Sequence, residues 1–575
     1  MKKLMLGNEA VARGAYEAGV LVASSYPGTP STEITEFIAK YDEIYSEWAP
    51  NEKVAVEVAS GAAIAGGRAL SAMKHVGVNV AADPLFTMSY IGVSGGLVLC
   101  VADDPGMHSS QNEQDSRNYA IAAKVPMLEP ADSGDCRDFV KEAYEISEKF
   151  DTPVLLRLTT RVAHSQSEVE LFEREEHPAK AYEKNAAKNV MIPANARPKH
   201  VVVEKRMADL AAYSDTTAIN RIEMGDTKIG IIAAGITYQY AKEAFPEASF
   251  LKLGMIHPLP EAKIREFVSK VDVCYVVEEL DPVLERQIKA MGLDVKGKEL
   301  LPLIGEYSVA LLREKLAGEK KEATFTVDET IPVRPPVMCP GCSHRGVFYV
   351  LNKLKLTVSG DIGCYSLGVA KPLDSIDSIV CMGASISGLH GMEKAQGKEF
   401  ARKSVAVLGD STFLHSGITG LIDMVYNKGT ATVIILDNSI TGMTGHQDNP
   451  ATGFTIKGEP TKQVDLEKLC HAVGVDLVTV ADPFDVENFE KVVKEHLAAE
   501  EPSVIIAQRP CALIKKAGYT GSCEITADCK NCKMCMKLGC PAISLTENGP
   551  VIDQTLCNGC GLCVNICKFG AIVKK

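Results

Sequence analysis

The sequence predicts a multidomain α/β chain: three blocks of parallel sheet with covering helices, then a small cysteine-rich domain. Three observations predict it. The chain has 575 residues, which at roughly 150 residues per domain gives about four domains. Short apolar runs alternate with helical stretches over most of its length, the pattern of βαβ units. Eight of the 18 cysteines fall in the 39 residues from Cys529 to Cys567. A chain without an export signal uses such a concentration for metal ligands or free thiols, not disulfides.

The first block spans residues 1–165. Strands are read at 96–103 and 153–160, with a helix between them that Asp132 or Ser133 caps and that runs to residue 149, apolar at Phe139, Val140, Tyr144 and Ile146. Residues 166–226 are charged and weakly periodic, with breakers at Pro178 and over 194–198, and read as a linker or arm. A second block covers 227–316, with strands at 228–232 and 273–277. A Lys/Glu-rich linker, 317–336, ends in Arg334-Pro335-Pro336. The third block, 337–515, has strands at 404–408 and 431–436 and a helix near 416–427. Residues 520–575 form the last domain.

Composition excludes several classes of function. Hydrophobic residues at 46% and charged residues at 23% exclude a disordered, collagen-like or coiled-coil chain. Sixty-one Lys and Arg against 74 Asp and Glu leave a net charge of −13, the wrong sign for neutralising nucleic-acid phosphates. The N-terminus reaches Glu9 before any signal-peptide core forms. The apolar run 91–102 is too short to span a bilayer and holds Gly95-Gly96. A soluble cytoplasmic protein is expected, with no nucleic-acid or membrane partner.

Cys529, Cys532, Cys535 and Cys540 recur at an offset of 27 to 28 residues as Cys557, Cys560, Cys563 and Cys567. Three thiolates at this spacing wrap one face of an iron–sulfur cube, and in two-cluster ferredoxins the fourth ligand comes from the other repeat. The expected sets are Cys529, Cys532, Cys535 and Cys567 for one 4Fe-4S cluster, and Cys540, Cys557, Cys560 and Cys563 for the other. A zinc ribbon is the rival, disfavoured because zinc takes four ligands per site and not an interleaved eight. Two departures qualify the ferredoxin pattern: four residues separate Cys535 from Cys540 where three are usual, and Lys568 stands where a proline is common.

In the third block Gly409-Asp410-Ser411 ends one strand and Asp437-Asn438-Ser439-Ile440 ends the next, Asn438 lying 28 residues after Asp410. Asp and Asn are ordinary turn residues, yet ligands of open α/β sheets collect at these strand ends. The pair resembles the GDG…NN motif of thiamine diphosphate enzymes. That resemblance implies Mg²⁺ held by Asp410, Asn438 and the carbonyl of Ile440, with Gly409, Ser411 and Thr444 among the cofactor contacts; hard oxygens shared with phosphate suit the ion. Ser411 and Asp437 depart from the motif. Thr441-Gly442-Met443-Thr444-Gly445-His446-Gln447 is similar to the MTGGQ segment of 2-oxoacid:ferredoxin oxidoreductases. His446 replaces a glycine of that segment, and Met443 stands where pyruvate-specific enzymes carry Asn. Both changes imply a substrate other than pyruvate, with His446 at the catalytic site.

The same family resemblance extends to four further places. Glu57 precedes a run of small residues like the E-x-x-A-x-x-A glutamate that hydrogen-bonds the aminopyrimidine N1′, a role that needs a buried carboxyl; the alternative is a dipole-stabilised surface glutamate. Residues 24–33 resemble the YPxTPS segment, in which Thr29 would contact the 2-oxoacid; a Pro-Gly turn capped by Ser31 or Thr32 fits equally. Arg117 stands where a family arginine faces the substrate carboxylate, and the alternative is a surface ion pair. Met338 to Arg345 resembles the family's CPGCGH segment, so that Cys339, Cys342, Cys364 and Cys511 match the ligands of a third, proximal 4Fe-4S cluster; a metal-free CPGC turn is the rival. The other six cysteines, Cys100, Cys136, Cys274, Cys381, Cys470 and Cys523, default to ordinary thiols.

Taken over essentially its full length, the chain resembles the alpha subunits of the arylpyruvate-specific branch of that thiamine diphosphate-dependent family. The implied fold is two thiamine diphosphate-binding domains, 1–165 and 337–515, a transketolase C-terminal-like domain, 227–316, and a two-cluster ferredoxin-like domain. The implied activity is oxidative decarboxylation of indolepyruvate and related arylpyruvates with coenzyme A to arylacetyl-CoA and carbon dioxide, with ferredoxin reduced through the clusters. A smaller beta subunit with a gamma-type domain, an alpha2beta2 assembly and an anaerobic cytoplasm are further implications. Three rivals stay open: another 2-oxoacid specificity, a non-oxidative thiamine-dependent decarboxylase or ligase, and an electron-transfer subunit with an inactive thiamine fold.

Overall fold

The computed structural model describes residues 1–320, 325, 327 and 330–575; the rest of the Lys/Glu-rich linker lies outside the described residues. The chain divides into two compact units, Met1–Asp328 and Glu329–Lys575.

Strand Leu97–Asp103 shows why the main sheet of the first unit is parallel and deeply buried. Leu97, Leu99 and Val101 face one apolar cluster while Val98, Cys100 and Ala102 face another, so the strand is apolar throughout and does not alternate. Seven strands pair in the order Tyr45–Trp48, Val22–Ser25, Ala69–Lys74, Leu97–Asp103, Val154–Thr159, Met127–Leu128 and Met255–His257. All the pairs are parallel except the last. The chain places Tyr45–Trp48 on one side of Val22–Ser25 and then Ala69–Lys74 on the other, which makes the ends of these strands a topological switch point, where such sheets bind ligands. Helix Ser133–Phe150 begins as its sequence predicts: the Asp132 side chain accepts from the Asp135 N–H at 2.9 Å.

Residues 166–226 are more than an arm. Gln166–Glu170 pairs antiparallel with Lys2–Leu6, and Pro193–Thr216 is a helix of 24 residues. Its buried stripe is Val203, Arg206, Leu210 and Ser214, half of it polar, so apolar periodicity gives little sign of it. Pro193 opens the helix at a position that needs no N–H, and Pro198 forgoes one bond near the start. The second block forms a four-stranded sheet ordered Val273–Val277, Asp226–Ala234, Ala248–Leu253 and Arg221–Glu223. It does not stand alone. Met255–His257 crosses to the seven-stranded sheet, and Ile232, Leu251 and Val276 share a cluster with Leu97 and Val101.

The second unit is built on five parallel strands ordered Thr357–Ser359, Ser404–Gly409, Thr432–Asp437, Ser503–Gln508 and Leu477–Ala481. Val405, Ile434 and Ile505 face one cluster; Ala406, Val433 and Val504 face the other. The cysteine-rich segment contributes two small antiparallel pairs, Cys523–Ile525 with Ile572–Lys574 and Ile543–Thr546 with Gly549–Ile552. Its Leu538, Ile543, Leu562 and Ile566 join the cluster that holds Val405, Ile434 and Phe489. The segment therefore shares the sheet's core. No helix among the described residues is long and apolar enough to cross a membrane.

Candidate functional site

At the switch point of the first unit, the half-buried Thr29 sits in the turn after strand Val22–Ser25. The glycine before it lies against Lys74, the last residue of the neighbouring strand: a Cβ on Gly28 would be 3.2 Å from the Lys74 Cβ. Lys74 is 8% exposed and pairs with no described carboxylate; its Nζ donates to the Ser109 carbonyl at 2.7 Å. Burial pushes its amine down to about 8, against the pull of Asp104. The ring nitrogens of neighbouring His75 are buried without a hydrogen-bond partner.

Helix Glu52–Ile64 is set by Asn51, whose side chain accepts from the Val54 N–H at 2.9 Å. This places Glu57 differently from its expected role. Glu57 is exposed and ion-paired with Lys53 one turn back, each side chain 45% exposed. The buried carboxyl of this helix belongs to Glu52, at 6% exposure. It packs against the turn that starts at His75: a Cβ on Gly77 would lie 2.7 Å from Glu52 Oε1. What the sequence does show is the helix start: Asn51 caps it, Glu52 is its first residue, and Glu57 lies more than a turn further on.

Arg117 also departs from expectation. It is 3% exposed, with Nη2 2.6 Å from Asp115, Nη1 2.6 Å from Glu278, and further bonds to the carbonyls of Glu279 and Asp281. Burial opposes ionisation of Asp115, yet the guanidinium holds its carboxyl below the usual range; burial raises Glu278. A second buried network joins Arg157 to Asp103 and Glu129 at 2.7 and 2.6 Å. The Arg117 fork is thus closed on the protein's own acids and carbonyls and is not presented to a substrate carboxylate.

In the second unit, Asp410 follows strand Ser404–Gly409, and Asp437 ends the adjacent parallel strand. Asp410 is 2% exposed; its Oδ1 accepts from the Ser411 N–H at 2.8 Å, and its Oδ2 is buried without a partner. Burial, reinforced by Asp437, pushes the carboxyl up to about 7. The Asn438 Oδ1 accepts from the Ile440 N–H at 3.2 Å, bringing these two residues into one tight turn. Asn449, which motif reading does not single out, also reaches Asp410 through its side chain. A buried carboxylate oxygen without a hydrogen-bond partner is the kind of hard ligand a divalent cation takes. A Cβ on Gly409 would meet the Tyr365 ring at 2.9 Å, so this strand end accepts only glycine without a shift.

The loop after Ile440 closes on itself through Thr441 N–H to the Gln447 carbonyl at 2.9 Å and Gln447 N–H to the Thr441 carbonyl at 3.2 Å. The Thr444 hydroxyl donates to the Gln447 side chain, so it serves the loop. His446 and Met443 are exposed, and His446 holds φ 71°, the left-handed region that favours the glycine it replaces.

Two cavities in the same unit divide the eight clustered cysteines. One is lined by Cys529, Cys532, Cys535 and Cys567, the other by Cys540, Cys557, Cys560 and Cys563. Their thiols ring a space, and no three His, Cys, Asp or Glu side chains among the described residues converge as a single-ion site. Cys523, expected to be an ordinary thiol, lines the second cavity, and its N–H donates to the Cys557 sulfur at 3.2 Å. The first cavity is the outward one: Cys532 is exposed, and Lys530 and Lys533 stand at its edge.

Cys339, Cys342, Cys364 and Cys511 are also brought together. Burial pushes Cys342 up to about 12 and Cys364 up to about 11, and each thiol lies in the field of others of the four. This group borders the Asp410 turn. The Cys511 N–H donates to the Asn438 carbonyl at 2.9 Å, and a Cβ on Gly442 would be 3.6 Å from the Cys364 sulfur.

Three family models match the chain. Residues 13–224 match the thiamine diphosphate-binding domain of pyruvate flavodoxin/ferredoxin oxidoreductases, 361–507 the C-terminal TPP-binding domain of thiamine pyrophosphate enzymes, and 550–573 a 4Fe-4S binding domain. The indolepyruvate oxidoreductase subunit IorA of Archaeoglobus fulgidus is 41% identical over 99% of this chain and 97% of its own. That of Pyrococcus horikoshii is 39% identical over 100% and 97%, and that of Methanothermobacter thermautotrophicus 39% identical over 99% and 97%.

Proposed function

The chain belongs to the family of indolepyruvate oxidoreductase IorA subunits, and from that premise we propose that it is the catalytic alpha subunit of an enzyme that decarboxylates arylpyruvates oxidatively. Indolepyruvate and its relatives would be converted with coenzyme A to arylacetyl-CoA and carbon dioxide, with electrons leaving to ferredoxin. A smaller beta subunit completes the assembly as alpha2beta2, in an oxygen-poor cytoplasm. One observation carries the reading: a single unit holds the buried Asp410, a group of four cysteines bordering the neighbouring Asn438 turn, and two further groups of four. A non-oxidative thiamine enzyme has no use for the cysteines, and a bare electron carrier has none for the orphaned Asp410 oxygen.

Thiamine diphosphate, when bound, supplies the electron sink that lets a 2-oxoacid lose carbon dioxide. The protein's part is binding, proton handling and charge. Of the two glutamates on this helix, the buried Glu52 at its start, rather than the exposed Glu57, would share a proton with the aminopyrimidine. Thr29 and Lys74 flank the switch point and receive the 2-oxoacid, with the Lys74 ammonium replacing Arg117 as the partner of its carboxylate. Asp410 Oδ2, Asn438 and the Ile440 carbonyl hold Mg²⁺ and through it the diphosphate. Cys339, Cys342, Cys364 and Cys511 hold the first 4Fe-4S cluster, Cys540, Cys557, Cys560 and Cys563 the second, and Cys529, Cys532, Cys535 and Cys567 the outermost, where Lys530 and Lys533 suit an acidic carrier.

The deciding experiment is anaerobic reduction of a viologen dye by the chain assembled with its beta partner. Reduction that requires both indolepyruvate and coenzyme A is the expected result. Failure with the clusters intact and thiamine diphosphate and Mg²⁺ supplied refutes the proposal.

A further inference from the structure

Arg345 is 3% exposed, and its guanidinium donates only to backbone carbonyls. Nε reaches Cys339 at 3.1 Å, Nη1 reaches Leu538 at 2.9 Å and Gly539 at 2.7 Å, and Nη2 reaches Met338. No described carboxylate pairs with it. Arg117 and Arg157, equally buried, are each held by two acids, and Arg206 lies in the field of Asp151. A buried guanidinium without a counter-ion costs several kcal/mol. The ionisable groups around Arg345 are thiols: Cys339, whose carbonyl it holds, with Cys342, and Cys540 and Cys560, which line the same cavity as its side chain. The same junction is pinned by the Asn558 amide, which donates to the Pro340 carbonyl at 3.0 Å, and Arg345 itself lines the cavity of Cys540, Cys557, Cys560 and Cys563.

We propose that Arg345 is a fixed counter-charge shared by two iron–sulfur clusters, the one on Cys339, Cys342, Cys364 and Cys511 and the one on Cys540, Cys557, Cys560 and Cys563, and that it raises the reduction potential of both. This rests on the reading that both groups hold clusters. A cube ligated by four thiolates is anionic and gains one more negative charge on reduction, so a fixed cation beside it favours the reduced state. A guanidinium suits the place because it keeps its charge at any physiological pH and its planar fork serves several carbonyls at once. Arg345 is a positioning residue: it acts on the clusters' electrons without ligating a metal.

The test compares Arg345→Lys with Arg345→Gln in the complete enzyme, counting iron and following reduction by electron paramagnetic resonance in an anaerobic redox titration. Both variants keep a hydrogen-bond donor and only one keeps the charge. Lys is expected to hold the reduction equilibrium within about threefold of the parent. Gln is expected to weaken it tenfold or more, 59 mV for a one-electron couple. Loss of iron from the Gln variant alone also supports the proposal, since charge is then what retains the cluster. Equal midpoints in all three proteins, equal shifts in both variants, or loss of iron from both overturns it in favour of a purely structural role. Failure of the underlying reading shows elsewhere, as an iron content of about eight per chain in the unsubstituted enzyme.

Discussion

Replacing Glu52 and Glu57 separately by glutamine decides which carboxyl handles the proton. Glutamine is nearly isosteric with glutamate, so Glu52→Gln keeps the packing against the turn at Gly77 and removes only the ability to carry a proton. Positioned proton transfer contributes about 10²- to 10⁴-fold in rate, or about 3 to 5 kcal/mol of barrier. That range is the expected loss of turnover in Glu52→Gln. Glu57→Gln loses one surface pair with Lys53, in which both side chains are 45% exposed. Such a pair one turn apart is worth about 0.3–0.5 kcal/mol of stability, so turnover should stay within about twofold. The assay is indolepyruvate- and coenzyme A-dependent dye reduction by the assembled enzyme, with bound thiamine diphosphate measured and the visible cluster spectrum recorded. Comparable losses in Glu57→Gln, or Glu52→Gln retaining more than a tenth of the parent rate with cofactors loaded, would refute the reasoning.

Three further outcomes follow from the same geometry. Arg117→Gln strands the buried Asp115 and Glu278 and should destabilise the first unit by about 3–5 kcal/mol in denaturant unfolding; a raised KM for the 2-oxoacid with unchanged stability would mean that Arg117 faces the substrate after all. His496 is 2% exposed, and burial pushes its imidazole from 6.5 down to about 4. As pH falls below 6.5 the unfolded chain takes up a proton that the folded chain refuses, so stability drops by up to about 3 kcal/mol between pH 6.5 and 4; His496→Gln should flatten that slope, and an identical pH profile would count against the assignment. Iron counted after anaerobic purification should come to about twelve per chain, whereas about eight leaves Cys339, Cys342, Cys364 and Cys511 without a cluster.

What sequence reading reached, and what it did not, follows the range of the interactions involved. The cysteine sets are legible because their ligands sit at fixed local spacings in two copies, and the cavities divide the same eight residues in the same way. Asp410 and Asn438 are legible because neighbouring parallel strands put their ends side by side. Which carboxyl of this helix is buried is not legible, because small residues flank Glu57 in sequence while burial depends on which face of the helix meets the turn at His75. The buried ion pairs of Arg117 are hidden for a related reason: one of its partners, Glu278, lies 161 residues away, and no local pattern announces it. The helix Pro193–Thr216 is obscured because its inward stripe includes Arg206 and Ser214, whose contacts are polar.

The shared core of the second unit connects these observations. Leu538, Ile543, Leu562 and Ile566 pack into the same cluster as Val405 and Ile434, so the loops carrying the outer eight cysteines are fixed to the sheet that ends in Asp410 and Asn438. A cluster domain of this size is usually expected to depend on its metals for a core; here part of that requirement is met by the neighbouring sheet. The arrangement also leaves little freedom between redox sites. Cys511 is bonded to Asn438 through the backbone, Arg345 ties Cys339 to Gly539 beside Cys540, and the next four cysteines open at the surface around Cys532. These hydrogen bonds and packed side chains hold the cysteine groups to one another and to the strand ends.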